Sequence, residues 1–186
     1  MKASRPRRRT LAALVVIATV ALLSPSATAA TARPAHHPRT ARVVVTGQVE
    51  HRRVYTVAGL RAFPQHTVTV EFSSSGGVEK HTFTGPLLTD VAAAAGPRFD
   101  PAVKNDSLRF LVAATGSDKY RAIVSWGEID PAFGARQVLL ATAQDGTPLD
   151  TDGPRLVVPG DGKGGRYVSA VVQVYIGDAD RLVRRH

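Results

Sequence analysis

The sequence predicts a single β-rich α+β domain. Three observations carry this. Short segments rich in β-branched residues recur between turn signals from Val43 to Ile176. One segment alone, Pro86 to Ala95, shows a clear helical pattern. Strand-like and helix-like stretches are mixed evenly, with no internal repeat and no composition break to divide the chain.

Taken in order, Arg42-Val43-Val44-Val45-Thr46-Gly47-Gln48-Val49 reads as the opening strand and Val54-Tyr55-Thr56 as a second, short one. Val57 to Phe63 fits a short helix stopped by Pro64. Thr67 to Phe72 alternates, with Val68, Val70 and Phe72 on one side and Thr67, Thr69 and Glu71 on the other. Ser73 to Gly77 reads as a loop and Glu79 to Thr84 as the returning strand of a hairpin. The helix of Pro86 to Ala95 has proline in its first turn, Leu87, Leu88, Val91, Ala92 and Ala95 on one side, and Gly96-Pro97 at its end. Leu108–Ala114, Tyr120–Ser125 and Gln137–Ala143 read as strands, with Trp126–Pro131 as a turn or single helical turn. Asp145-Gly146 is a hairpin signal. Leu156–Pro159 and Tyr167–Ile176 complete the strands.

The ends of the chain differ from the body. Residues 1–29 have the parts of a cleavable signal peptide: a basic start (Lys2, Arg5, Arg7, Arg8, Arg9), an apolar run from Leu11 to Leu23, and the small residues Ala27-Thr28-Ala29. The run is 13 residues long, and a membrane-spanning helix needs about 20. A secreted or extracytoplasmic protein without a stable membrane anchor is therefore expected. Arg8-Arg9-Thr10-Leu11 fits a twin-arginine export signal as well as an ordinary basic start of the general secretory route. Residues 30–42, rich in Ala, Pro, Arg and His, read as a disordered leader. Its His36-His37 pair suits either a metal or plain solvation. The domain is placed at 43–178 and a basic tail at 179–186.

The whole chain has 24 basic and 15 acidic side chains, a net +9. The predicted signal takes five of the basic ones, leaving 19 against 15, a net +4. The body from Val43 to Asp178 holds 13 basic against 14 acidic. The high isoelectric point thus belongs to the ends, and no basic cluster marks a nucleic-acid interface. The chain contains no cysteine. This excludes disulfides, thiolate metal sites, iron–sulfur clusters and covalently attached c-type haem.

Two segments are candidates for chemistry on their residues alone. Ser73-Ser74-Ser75 follows a strand and precedes two glycines, which suits a nucleophile or a plain polar hairpin loop. Pro159-Gly160-Asp161-Gly162-Lys163-Gly164-Gly165-Arg166 offers turned backbone N–H groups and two cations. That is either an anion cradle or an exposed connecting loop. His51, His66 and His81 have no metal-ligand spacing and read as surface or half-buried strand residues.

The order of several segments resembles the molybdopterin-binding domain of the sulfite oxidase family, over about Val43 to Ile176. The matching pieces are Val45-Thr46-Gly47-Gln48-Val49, Tyr55-Thr56-Val57-Ala58-Gly59-Leu60, Leu60-Arg61-Ala62-Phe63-Pro64, Phe83-Thr84-Gly85-Pro86-Leu87-Leu88 with Val91 and Ala95-Gly96, Ser117-Asp118-Lys119-Tyr120-Arg121-Ala122, Leu139-Leu140-Ala141, Gly146-Thr147-Pro148-Leu149 and Gly153-Pro154-Arg155-Leu156-Val157-Val158-Pro159-Gly160. The resemblance implies a compact α+β domain of the sulfite oxidase molybdopterin-binding type that grips a molybdopterin cofactor and presents molybdenum at a cleft. It implies cofactor contacts from Ser73, Ser74, Ser75, Arg155, Lys163 and Arg166, and catalytic positions at Tyr120 and Arg155. In the family a cysteine thiolate from the loop after the Val68–Phe72-type strand binds the metal. Here Ser73 stands at that position, a hard hydroxyl where dithiolene-bound molybdenum suits a soft thiolate. The expected function is an exported molybdopterin-dependent oxidoreductase with serine replacing the ligand. The alternative is a non-catalytic extracytoplasmic binding module on the same fold, with a small-anion binder using the Gly160–Arg166 loop as its variant. The family's dimerisation domain has no counterpart in the matched region, and a monomer is expected.

Overall fold

A computed structural model describes residues 41–180. The predicted signal peptide, nearly all of the leader with His36 and His37, and most of the basic tail lie outside the described residues.

The main sheet has five strands in the order β2-β1-β11-β5-β6: β2 (Arg53–Thr56), β1 (Arg42–Gly47), β11 (Val171–Asp178), β5 (Phe110–Gly116) and β6 (Arg121–Ser125). The first strand and the last pair in parallel at the centre, and every other pairing is antiparallel. Arg42 is therefore part of the domain, paired with Thr56, rather than the end of the leader. At the other end Asp180, the second residue of the predicted tail, accepts a hydrogen bond from Arg109 at 3.0 Å and is tied to the body.

A second sheet runs β3-β4-β8-β9: β3 (His66–Ser74), β4 (Gly77–Gly85), β8 (Ala143–Gln144) and β9 (Thr147–Pro148). The alternation read along Thr67–Phe72 is present, with Val70 and Phe72 buried and Thr69 and Glu71 exposed. The hairpin loop is shorter than the sequence predicts. Ser73 and Ser74 continue β3, paired with Val78 and Gly77, and the turn is Ser75-Gly76. Backbone pairing continues until Gly77, whose φ of +112° lets the chain reverse. Asp145 and Gly146, at φ +50° and +77°, form the expected tight turn between β8 and β9.

Between the two sheets lies a ribbon of β7 (Leu139–Ala141) and β10 (Arg155–Val157). Its residues are shared alternately between two cores. Leu140, Leu156 and Val158 pack into the larger core against the main sheet. Leu139, Ala141 and Val157 pack into a smaller core beneath the β3–β4 hairpin with Val70, Phe72, Phe83 and Tyr167. Burial on both faces explains why Leu139–Ala141 and Leu156–Val158 are continuously apolar in sequence. It also splits the predicted strand Gln137–Ala143, because Ala143 passes to the second sheet.

The helices are short: α1 (Val57–Leu60), α2 (Leu88–Ala93) and α3 (Trp126–Ile129). The predicted Pro86–Ala95 helix starts two residues late, because Leu87 bridges to Leu139 and the Pro86 carbonyl accepts from Leu140 N at 3.0 Å. The extended Pro86-Leu87 pair thus serves the ribbon before the helix begins. The helix α3 is held by a capping box: Ser125 Oγ accepts from Glu128 N at 3.2 Å, and Ser125 N donates to Glu128 Oε2 at 3.1 Å. The strand predicted at Leu108 begins at Phe110, after a 3₁₀ turn over Asp106–Arg109. Among the described residues no helix is long and apolar enough to cross a membrane.

Candidate functional site

The tip of the β3–β4 hairpin, the start of β10 and the loop at 160–165 border an open cavity of about 560 Å³. Its walls are Phe72, the three serines Ser73 to Ser75, Glu79, Arg155, Lys163, Gly164 and Gly165. The loop is fastened to the hairpin: Ser73 N donates to Gly162 O at 3.0 Å, and Ser73 bridges to Lys163. Gly164 lies against the Phe72 ring, where a Cβ would come within 2.9 Å of two ring carbons. Phe72 in turn stacks on Tyr167 at 4.3 Å between ring centroids. At Gly164 a side chain is excluded because the loop presses flat on an aromatic floor.

Arg155 enters from below. Its register partner is Ala141, and the guanidinium sits 5.6 Å from the centroid of the Phe83 ring. One of its amino groups donates to Gln144 Oε1 at 3.1 Å. Its Nε is buried without a hydrogen-bond partner among the described residues. Burial pushes the Arg155 guanidinium below its ordinary pKa, with Glu79 acting in the other direction. An unmet donor on a desolvated cation is costly.

The sequence-derived site residues are distributed unevenly around this cavity. Ser73, Ser74, Ser75, Arg155 and Lys163 meet at it. Ser74 Oγ serves the turn, accepting from Gly76 N at 3.0 Å. Tyr120 stands beside the loop, half exposed, and donates its hydroxyl proton to Gly165 O at 2.6 Å. Arg166 is turned to other work. It pairs with Asp161 through two hydrogen bonds of 2.7 and 2.6 Å and with Glu128 at 3.2 Å. These carboxylates hold its pKa above the ordinary arginine value. Arg166 lies three positions after Lys163, yet Lys163 lines the cavity while Arg166 turns to Asp161 and Glu128. Arg166 therefore closes an ion-paired clasp rather than facing the cavity.

A polar chain behind the cavity escapes a reading by motif. Glu79, His81 and Phe83 occupy alternate positions of β4, and Phe83 is fully buried. They therefore share the core face of the hairpin. His81 Nδ1 lies 2.7 Å from Asp145 Oδ2, and Nε2 lies 3.2 Å from Glu79 Oε2. Asp145 Oδ1 accepts from Thr82 N at 2.8 Å. Both ring nitrogens face carboxylates, an arrangement that both can satisfy as donors in the imidazolium form. Accordingly Asp145 raises the His81 pKa most, with Glu79 adding to it against burial. The Ser74 hydroxyl and then His81 hold Glu79 below the ordinary carboxylate value. The signal that could have revealed this chain is the phase of β4: two ionisable residues stand where the alternation demands apolar ones.

A pH dependence follows. A raised His81 pKa favours the folded state when the ring is protonated, so the contribution is full below the unfolded value of about 6.5 and is lost as pH rises through the higher folded value. Urea midpoints of the natural protein minus those of His81→Gln, from about pH 5 to about pH 8, should therefore shrink as pH rises. A difference that grows with pH would contradict the ion-paired assignment.

Residues 30–181 match the family described as the oxidoreductase molybdopterin binding domain. The chain belongs to this family. Comparison with curated proteins finds no match. Among solved structures the fold is similar to the sulfane dehydrogenase SoxCD from Paracoccus pantotrophus, with a TM-score of 0.59 and 23% sequence identity over 74% of this chain and 38% of that one. The likeness is one of fold, and the chain spans well under half of that protein's length. The β-rich α+β architecture expected from the sequence is the architecture of this molybdopterin-binding family.

The family's cofactor can be tested against the residues present. At the anionic end, the cations Arg155 and the exposed Lys163, both at the cavity wall, suit a phosphate. At the metal end the cavity offers hydroxyls and one carboxylate, all hard oxygen donors, and no thiolate exists anywhere in the chain. The described residues contain no cluster of three His, Asp or Glu disposed to hold a metal. The cavity fits the phosphate-bearing part of such a cofactor and does not fit a thiolate-anchored metal centre.

Proposed function

We propose that this chain is an exported member of the family that uses the cavity to bind a phosphate-bearing pterin ligand without a protein thiolate on a metal, as a binding module rather than a molybdenum oxidoreductase. The observation that carries this is the cavity's donor set. Arg155 and Lys163 stand ready for an anion, while three serines occupy the position where the family resemblance calls for cysteine. The signal-like residues 1–29 support export, and a twin-arginine route would deliver the domain already folded around its ligand. Tyr120 shapes the site by anchoring the loop at Gly165.

A second reading has one observation in its favour. Glu79, held ionised beside Ser74, is an oxygen donor at the cavity wall. On that reading the protein is a molybdenum oxidoreductase with oxygen rather than sulfur ligation from the chain, Ser73 being the position concerned.

One experiment separates them. The full chain is expressed in a host that makes the cofactor, recovered from the extracytoplasmic fraction, and assayed for molybdenum by mass spectrometry and for pterin by fluorescence after oxidation. The expected result is pterin in proportion to protein with molybdenum well short of stoichiometric. Stoichiometric molybdenum sinks the binding-module reading in favour of the second. Absence of pterin sinks the choice of ligand.

A further inference from the structure

The main sheet turns one side to the larger core. Val45, Val174, Ala114 and Ala122 form one row across β1, β11, β5 and β6, and all are buried there. The residues between such rows point the other way, and on that side Val54, Tyr175 and Ile123 are 47%, 37% and 51% exposed. A groove of about 240 Å³ lies on this outer side, walled by Ala113, Thr115, Arg121, Gln173 and Tyr175. It shares no residue with the cavity at the hairpin tip. We infer that the groove is a glycan-binding site that takes one acidic pyranose unit, a sugar ring bearing a carboxylate.

Two cross-strand rows build the groove. Tyr175, Ala113 and Ile123 are register partners on β11, β5 and β6, and Gln173, Thr115 and Arg121 form the row beside them. Tyr175 lies along its own strand over Gly177, which has no side chain to lift it. A Cβ at Gly177 would come within 3.0 Å of the ring carbon Cζ and 2.9 Å of the hydroxyl oxygen. The ring covers Gly177 and, with Ile123, leaves Ala113 only 6% exposed. The result is an apolar plate beside a row of three polar side chains. In that row Arg121 Nε donates to Thr115 Oγ1 at 3.1 Å, which orients the guanidinium and commits neither of its amino groups. Gln173, half-buried at the groove wall, makes no side-chain hydrogen bond among the described residues.

These residue types select the occupant. A flat aromatic ring with a polar tip offers apolar stacking on its face and hydrogen bonding at its edge, which suits the C–H face of a sugar ring. The neighbouring amide and hydroxyl can both donate and accept, as sugar hydroxyls can. Adjacent strands stand about 4.8 Å apart, so substituents on one edge of a single ring reach neighbouring members of the row. Charge adds the carboxylate, because the planar fork of Arg121 matches its two oxygens. No acid opposes it: the one acid in the five strands is Asp178, which has the inward phase of Val174 and Ile176 and pairs with Arg109. A nucleic-acid strand fits less well, since it calls for a track of cations. The outward positions carry Arg42 on β1 and Arg121 on β6, with two strands between them.

The test is calorimetric titration of the full chain with tetragalacturonate and with its full methyl ester, repeated on Arg121→Gln and Tyr175→Leu. The natural protein should bind the acid about tenfold more tightly than the ester, the worth of one charge-assisted hydrogen bond. Arg121→Gln should abolish that preference and leave the ester's affinity unchanged. Tyr175→Leu should weaken both probes by about tenfold, as loss of a stacking ring does. Binding of neither probe overturns the inference, and so does equal affinity of the natural protein for the two. Affinities unchanged in both folded variants place the sugar elsewhere and overturn the assignment. Self-association seen by sedimentation and lost in Arg121→Gln would make a second copy the occupant, which also overturns it. Should Tyr175→Leu fail to fold, as judged by circular dichroism, Arg121→Gln, at an exposed position, still decides.

Discussion

Replacing Gly47 by alanine is expected to destabilise the domain by at least about 3 kcal/mol, combining a strained backbone with an overpacked sheet centre. Gly47 ends the first strand at φ +112°, a conformation that L side chains rarely adopt. Its register partner is Ile176 in the parallel pair at the middle of the main sheet. A Cβ there would lie 2.0 Å from the Ile176 carbonyl oxygen and 2.9 Å from its carbon and nitrogen. Those are backbone atoms of β11, which also pairs with β5, so relief requires moving two pairings. Against a typical stability of about 5–15 kcal/mol the loss is a large share. Urea unfolding followed by circular dichroism measures it. Gly146→Ala is the control: φ is +77°, but nothing lies within 4 Å of its would-be Cβ, so the backbone term acts alone at about 1 kcal/mol. Equal losses at the two positions would show that the close contact with Ile176 does not matter.

The largest functional effect is expected at Arg155. Arg155→Met keeps the apolar stem over Phe83 and removes the cation. Phosphate affinity should fall on the order of 100-fold, as it does when one partner of a desolvated charge pair is removed. Stability should be unchanged or slightly higher, because a partly buried guanidinium with an unmet Nε is replaced by an apolar chain. The two readouts move independently, so a variant that loses affinity through misfolding is recognised by its urea midpoint. Retained phosphate affinity in a folded Arg155→Met would remove Arg155 from the site.

Both predictions depend on register, and register marks where sequence reading stops. The strand segments were legible because alternation and β-branching are local properties, and so was the Asp145-Gly146 turn, whose φ values are local too. The hairpin of Ser73–Ser75 was legible as a hairpin but not in its length, since pairing at Ser73 and Ser74 depends on partners across the strand. The Pro86–Ala95 helix was recognised, yet its first turn was surrendered to a strand bridge with Leu139. Arg166 shows the same limit from the functional side. As a cation in a glycine-rich loop it resembled a phosphate ligand, and its neutralising partners Asp161 and Glu128 lie 5 and 38 residues away. His81 is the converse case. It matched no motif because its partner Asp145 is 64 residues distant.

The sequence by itself determined the strand-rich character of the domain, its family, and the absence of any thiolate. These follow from residue type and from order along the chain. Only the tertiary structure decided which charged groups share one space: Arg155 and Lys163 with the serines and Glu79 at the cavity, Arg166 outside it, and His81 between two carboxylates. The reason is physical. Electrostatic partnership acts over a few ångströms of space, and β-sheet register brings those ångströms together from residues far apart in sequence.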